Sequence, residues 1–387
     1  VATLLFEGFS WRIWGAAAVG LLVGVVIGVT TDYFTDDTKP IVQRVARASR
    51  TGPAFTVLSG ISYGLISALP AMVGIALSAL VAYKLCEPMG AGYAIFGISM
   101  AAVGMLSIVG MIISNDAYGP IVDNARGLAE MGGLGEETIR VADELDSAGN
   151  TVKAVTKGFA IGAAGLTVIS LLGAYMSEVN AALVEMGSNS AEAVEAALEA
   201  LCTADAEAAQ KIVKSDSRIN NMERDIEHRC MTLLLRQQPV AGDLRRISTA
   251  MKVVTDIERI GDHASDIAEI IPHLVTVRKE GDPAVSQAIA MGRKAYQMIQ
   301  DAMAALTAED ELAARKVIAA DDAVDFDFNA IKHTLAQEIA ADPAKVDAAL
   351  DLLMVIKYLE RIGDHAVNVA EWVQFVRTGR YKDESMF

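Results

Sequence analysis

Four stretches in the first 175 residues are too long and too apolar to be anything but membrane spans or deeply buried helices. They are Ile13–Thr31, Phe55–Leu85, Gly90–Ile113 and Phe159–Tyr175, the last extended backwards through Thr151–Gly158. A helix needs about 20 mostly apolar residues to cross a bilayer. Gly60, Gly64 and Pro70 interrupt the second stretch, which spans tolerate because neighbouring helices satisfy the freed backbone groups. The expectation is four spans in contact with the lipid bilayer, and nothing membrane-like after Tyr175.

Charge changes at the same place. Residues 1–176 hold 10 of the 33 Lys and Arg and 13 of the 49 Asp and Glu, leaving 23 bases and 36 acids to the remainder. The net charges are −3 and −13, so the second half is strongly acidic. That argues against nucleic acid as a partner, which needs basic patches to replace phosphate counterions. Cys86, Cys202 and Cys230 have no paired spacing and are expected to be packing residues. The chain starts at Val1 without a signal-peptide pattern, and is expected to be a fragment whose upstream part is missing.

Loop charge orients the spans. Lys39, Arg44, Arg47 and Arg50 follow the first span, and Arg126, Arg140, Lys153 and Lys157 lie between the third and fourth; only Arg12 and Lys84 lie opposite. Both basic loops are therefore placed in the cytoplasm, and the chain leaves the fourth span on the outer side.

Polar chemistry gathers at one membrane boundary. Asp116-Ala-Tyr-Gly-Pro-Ile-Val-Asp123-Asn124 ends the third span, while Gly149-Asn150 and Lys157-Gly-Phe-Ala-Ile-Gly162 open the fourth. Carboxylates there can hold Mg²⁺, which shares oxygen ligands with substrate phosphates, and ionisable groups beside spans point to function by default. Together with Leu145–Thr151, Asp32-Tyr-Phe-Thr and Thr51-Gly-Pro-Ala, these segments resemble the ion-pumping membrane pyrophosphatases. The resemblance implies that Asp123 and Asn150 bind Mg²⁺–pyrophosphate, that Lys157 contacts phosphate and that Asp116 supports them. Lys153 and Thr156 resemble the potassium-independent, proton-pumping subclass. The family also implies a homodimer. It needs further acidic and basic clusters that this stretch lacks, and Arg126 stands where the family has glycine. No complete catalytic set is present, so the first half by itself is expected not to hydrolyse pyrophosphate.

From Ser177 onward apolar residues recur at helical spacing, which predicts amphipathic helices. Gly187-Ser-Asn, Gln238-Pro239, Gly281-Asp-Pro283 and Asp342-Pro343 are read as turns, with Ser188 and Asp342 as caps. About six helices and no strand are expected. An internal repeat organises them. Glu258-Arg-Ile-Gly-Asp-His-Ala264 returns as Glu360-Arg-Ile-Gly-Asp-His-Ala366, 102 residues later. Upstream, Lys211–Arg229 aligns with Lys316–Thr334, matching Asp216 to Asp321. The repeats run over about 177–275 and 283–387, each a three-helix unit.

Each copy carries a polar row at i, i+4 and i+8, namely Glu258, Asp262, Asp266 and Glu360, Asp364, Asn368. That spacing places the row on one helical face, where like charges repel and call for a counter-cation. Arg259 and Arg361 are read as lying off the row. His263 and His365 lie about 100° round the helix and are not enlisted. This constellation resembles the PhoU family over the whole second half. The resemblance implies a non-enzymatic regulator of phosphate transport and signalling. Its partners would be the phosphate transporter's ATPase and a sensor histidine kinase. Its acidic rows would hold iron, zinc, magnesium or manganese, helped by Glu223 and Asp325.

The fold class expected is all-α, a four-span segment over 1–176 followed by a two-repeat helical bundle over 177–387. Three functional readings stand: a phosphate regulator on a truncated pump segment, a working part of a pyrophosphate-driven proton pump, or an accidental fusion without function as one chain. The location is the inner cell membrane, multi-pass. The PhoU-like half is cytoplasmic by family but extracytoplasmic by loop charge.

Overall fold

The computed structural model describes residues 10–237, 239, 241–277, 282–382 and 384–385. It divides into two compact units, Val1–Ala174 and Tyr175–Phe387. The first contains α1 (Trp11–Thr35), α2 (Pro40–Ala48), α3 (Pro53–Cys86), α4 (Ala91–Met105), α5 (Val109–Met131) and the start of α6 (Glu136–Thr203). The second contains the rest of α6, then α7 (Ala206–Gln237), α8 (Ala241–Val277), α9 (Pro283–Ala308), α10 (Glu311–Ala341) and α11 (Val346–Thr378). A two-residue antiparallel pair, Arg380–Tyr381 with Glu384–Ser385, follows. It is the one strand element among the described residues, where none was expected.

In the first unit α1 packs against α3 and α4, and small residues set the distance. A Cβ added to Gly20 would lie 1.9 Å from the Ala101 carbonyl oxygen, and one added to Gly104 would lie 1.9 Å from that of Ala17. The two backbones therefore touch through a reciprocal pair of glycines. Close backbone approach of this kind drives helix association where lipid removes the hydrophobic force. One and two turns further along α1, Gly24 and Gly28 receive the Phe159 ring of α6, which an added Cβ would meet at 2.7 and 2.8 Å. Ile13, Ile27, Met105 and Leu166 complete the buried cluster. The opposite face of α3 leaves Leu58, Ile61, Leu65, Leu69 and Met72 exposed. A helix apolar all round is a core or membrane helix.

Three segments contain helix long and apolar enough to cross a membrane: Trp11–Ala48, Pro53–Met89 and Glu136–Thr203. The expected span at Gly90–Ile113 is not one continuous helix. A 3-10 turn at Leu106–Ile108 divides it into α4 and α5. The 15 residues of α4 rise about 22 Å, short of the roughly 30 Å hydrocarbon core. The count of four spans is therefore not reproduced.

The second unit is built on α8 and α11, which pack along one another. Each also carries an outer helix, α7 on α8 and α10 on α11, while α9 packs on α10 and α11. The buried faces follow helical spacing: Ile247, Val254, Ile257, Ala264, Ile267 and Ile271 on α8, and Leu352, Ile356, Leu359, Ile362, Ala366 and Val369 on α11. Ser190 Oγ donates to the Ile257 carbonyl at 3.1 Å and ties α6 to α8.

The turn expected at Gly187-Ser-Asn does not exist, because α6 runs through it. Gly187 instead lets Met303 approach, since an added Cβ would meet its Cε at 2.5 Å. Ser188 is accordingly mid-helix rather than a cap, its hydroxyl 3.4 Å from Glu192. Asp342 does cap, accepting from the Ala344 amide at 3.1 Å. Asp282 caps α9 by accepting from the Ala284 and Val285 amides. Of the remaining turn signals, Gln238 and Gly281 lie outside the described residues. Cys86 and Cys230 are buried as expected, but Cys202 is exposed and does not pack.

Candidate functional site

Two acidic clusters form where the outer helices meet the paired central ones. In the first repeat, Glu258 and Asp262 of α8 face Asp216 and Glu223 of α7. Burial is the main force raising the Glu258 carboxyl above its usual range; Asp262 and Glu223 add to it and Arg259 opposes. Asp262 is raised by burial and then by Asp216. Glu223 is raised by burial and then by Glu227. In the second repeat, burial, then Asp325, Asp364 and Glu360, push Asp321 up to about 6. Asp364 is raised by burial and then by Glu360, with Lys357 and Arg361 opposing. Carboxylates that share a site suppress one another's ionisation in this way.

Asp216 and Asp321 belong to these clusters, although the sequence reading gave them no role. The signal was present, because the repeat aligns them with each other. Two other expected members match less well between copies. Glu223 has Phe328 as its counterpart, and Asp325 has Asn220.

Arg259 is not off the row. Its Nη1 lies 3.0 Å from Asp262 Oδ2 and its Nε 3.5 Å from Glu258 Oε2. A long flexible side chain reaches back over its own helical turn, which spacing alone does not reveal. In the second repeat the pairing base is Lys357, which holds Glu360.

The last member of each row turns to the seam between α8 and α11. Asn368 Nδ2 donates to Asp256 Oδ1 at 3.0 Å, and His365 Nδ1 lies 2.8 Å from the same oxygen. Asp266 Oδ2 lies 3.3 Å from His263 Nδ1. The His263 ring stacks on Tyr358 at 5.4 Å and tilts against His365 at 5.6 Å. Burial holds His263 below the usual imidazole range, with Asp266 opposing. The two histidines thus serve the packing of the repeats against each other.

The donor chemistry suits a hard, oxygen-seeking cation. Asp216 Oδ1, Glu258 Oε2 and Asp321 Oδ1 are buried without a hydrogen-bond partner. The present arrangement nevertheless brings together no group of three His, Cys, Asp or Glu able to hold a metal among the described residues.

In the first unit, Lys153 Nζ donates to Asn150 Oδ1 at 3.3 Å, and Asn150 Nδ2 donates to Asp146 Oδ2 at 3.3 Å. Gly119 makes room for this lysine, since an added Cβ would fall 1.8 Å from Lys153 Cε. Thr156 is buried and its hydroxyl donates to the Lys153 carbonyl at 2.9 Å. Asp116, Asp123 and Lys157 are exposed. Among the described residues no hydrogen bond or ion pair joins them to another side chain. Arg126 bridges Glu130 and Asp143, both at 2.7 Å, and so links α5 to α6. The structure thus gathers Asn150, Lys153 and Thr156 and leaves Asp116, Asp123 and Lys157 apart.

The inorganic H⁺ pyrophosphatase family matches residues 1–232, and the PhoU domain matches 289–373. A K(+)-insensitive pyrophosphate-energized proton pump of Moorella thermoacetica is 44% identical over 44% of this chain, but that match is 25% of the pump's length. A protein assigned to the K(+)-stimulated sodium-pumping class, from Bacteroides thetaiotaomicron, is 43% identical over 45% of the chain. These two identities do not separate the ion specificities. The chain spans about a quarter of the pumps it matches.

A Phosphate-specific transport system accessory protein PhoU homolog of Clostridium acetobutylicum is 38% identical over 54% of this chain and 94% of its own length. The crystal structure of PhoU from Pseudomonas aeruginosa superposes with a TM-score of 0.51 and 34% identity, over 54% of this chain and 99% of that one. The pyrophosphatase match runs past the division between the two units, to residue 232, whereas the PhoU domain match lies wholly within the second unit. The chain belongs to two families, the inorganic H⁺ pyrophosphatases through its first unit and PhoU through its second.

Proposed function

We propose that this chain works through its PhoU half, as an accessory regulator of phosphate transport joined to a partial pump-like region. The observation that carries this reading is coverage. The second unit accounts for 94% of a PhoU homologue, whereas the first accounts for about a quarter of a pump. We place the domains at 1–176 and 177–387, with the inner membrane as their location. The partners of the regulatory half would be the phosphate transporter's ATPase and a sensor histidine kinase. Its acidic clusters, through Asp216, Glu223, Glu258 and Asp262 in one repeat and Asp321, Asp325, Glu360 and Asp364 in the other, would take up a divalent or iron cation, without Asp266 and Asn368, which are engaged at the α8–α11 seam.

The pump-derived half would bind Mg²⁺ and pyrophosphate weakly through Asp116, Asp123, Asn150 and Lys157, with Lys153 and Thr156 in the place of a potassium site. Phosphoryl transfer to water needs several metals held together around the phosphates, and one quarter of a pump does not supply them. The expected result is no Mg²⁺-dependent pyrophosphate hydrolysis by the purified chain. Turnover abolished by Asp123→Ala would overturn that.

The regulatory reading requires residues 177–387 on the cytoplasmic face, opposite to the side that loop charge selects. Protease added to sealed inside-out vesicles decides it. Cleavage of that half supports the regulator; protection removes it from its partners and sinks the reading.

A further inference from the structure

The first unit pairs most of its positive charge. Lys39 meets Asp32 and Asp36, Lys84 meets Glu87, Arg126 meets Glu130 and Asp143, and Arg140 meets Glu144. Arg12 donates to the Leu85 carbonyl and Lys153 to Asn150. Arg44, Arg47, Arg50 and Lys157 remain, with no hydrogen bond or ion pair from their side chains among the described residues. Three of these four fall within one short stretch, in and just after α2.

The sequence of α2 is Pro40-Ile-Val-Gln-Arg-Val-Ala-Arg-Ala48. It joins α1 to α3, both within segments long and apolar enough to cross a membrane, and that connection fixes it at a membrane boundary. Ile41, Val42 and Val45 are half-buried, and α2 packs on α3. Gln43, Arg44 and Arg47 are exposed. Arg44 and Arg47 lie about one helical turn apart, and Arg50, also exposed, follows in the turn after the helix. No Asp or Glu occurs between Thr38 and Pro53. An apolar face docked beside a span, opposite an arginine face without counter-anions, is the pattern of a helix lying in the membrane interface.

We infer that α2 and the turn after it form a docking surface for anionic phospholipid, whose headgroup phosphates are bound by Arg44, Arg47 and Arg50. The guanidinium fork matches phosphate oxygens two at a time, which suits arginine to this role. Loop charge places the same stretch on the cytoplasmic side, where anionic lipid attracts basic segments beside a span. A soluble anion fits less well. Pyrophosphate travels with Mg²⁺, which needs oxygen ligands, and this stretch offers it no carboxylate. The inference goes beyond the regulatory reading and depends only on α1 and α3 crossing the membrane.

The test is native mass spectrometry of the full chain in detergent, titrated with phosphatidylglycerol and separately with phosphatidylcholine. The parent chain should bind the first phosphatidylglycerol more tightly than the first phosphatidylcholine. Arg44→Gln, Arg47→Gln and Arg50→Gln should each weaken phosphatidylglycerol binding by about 5-fold, the equivalent of about 1 kcal/mol per basic residue near an anionic surface. Phosphatidylcholine binding should not change. The three substitutions together should remove the preference, whereas lysine at all three positions should keep most of it, because the charge stays. Arg236→Gln, Arg293→Gln and Arg377→Gln remove the same charge from the second unit and should have no effect. A preference that survives in the triple glutamine variant, an equal loss of both lipids, or an equal effect of the second-unit set would each overturn the inference. Release of bound phosphatidylglycerol by inorganic pyrophosphate would overturn it too, by assigning the arginines to a soluble anion.

Discussion

Replacing Asp321 by asparagine should stabilise the second unit at neutral pH, although it removes a charged group from the protein. Asp321 is pushed up to about 6 from the usual 3.8, by burial first and then by Asp325, Asp364 and Glu360. A gap of about two units corresponds to roughly 3 kcal/mol at about 1.36 kcal/mol per unit. The site is only partly buried, so solvent screening reduces this to about 1–2 kcal/mol. The folded form holds its proton more tightly than the unfolded chain. The associated stability is therefore complete below pH 3.8 and is lost as pH rises through about 6. Asparagine carries no charge at any of these values, and Asp321 Oδ1 has no hydrogen bond to lose.

The gain from Asp321→Asn should accordingly be near zero at pH 4 and reach about 1–2 kcal/mol at pH 7.5. Trp372 stacks on Tyr381 with ring centres 4.3 Å apart and reports on the second unit. The chain has three tryptophans, so Trp11→Phe and Trp14→Phe leave Trp372 as the single fluorophore. Urea unfolding would be followed by its emission, with EDTA present at each pH. A variant less stable than its parent at pH 7.5, or an equal gain at both pH values, would show that charge crowding at Asp321 has been misread.

In the first unit, Gly104→Leu should destabilise α1 against α4 by about 1–3 kcal/mol or more, because its Cβ would meet the Ala17 carbonyl. Gly60→Leu, where nothing lies within 4 Å, should be close to neutral; equal aggregation temperatures in detergent would contradict the close crossing. In the second unit, Phe375→Ala should cost about 3–5 kcal/mol in urea unfolding, since that ring is 1% exposed. Phe326→Ala, 73% exposed, should cost little, and similar losses for both would refute the burial assignment.

The repeat was legible because both copies lie in one chain, so Glu258 with Asp262 and Glu360 with Asp364 could be placed on matching helical faces without any structure. The same alignment paired Asp216 with Asp321 but could not show that the outer helices press those carboxylates against the central rows. The helical angle of Arg259 points it off the row, yet its chain is long enough to return to two carboxylates. His263 and His365 lie off the row for the same angular reason. They are occupied because a second helix lies on that side, which no single helix announces. Gly187 carries a turn signal in the sequence, but a glycine that breaks a helix and one that admits a neighbour such as Met303 look alike in one dimension.

The sequence by itself determined the helical class, the change of character near Tyr175 and the two acidic rows. Periodicity, hydropathy and repetition are local properties that survive without knowledge of what packs where. Tertiary structure alone decided that α4 stops after 15 residues, that α1 and α4 meet at Gly20 and Gly104, and that Asp266 and Asn368 leave their rows for the α8–α11 seam. Those outcomes depend on which backbones approach and which side chains compete for the same space. Pairwise distances of that kind are set only when the whole bundle closes.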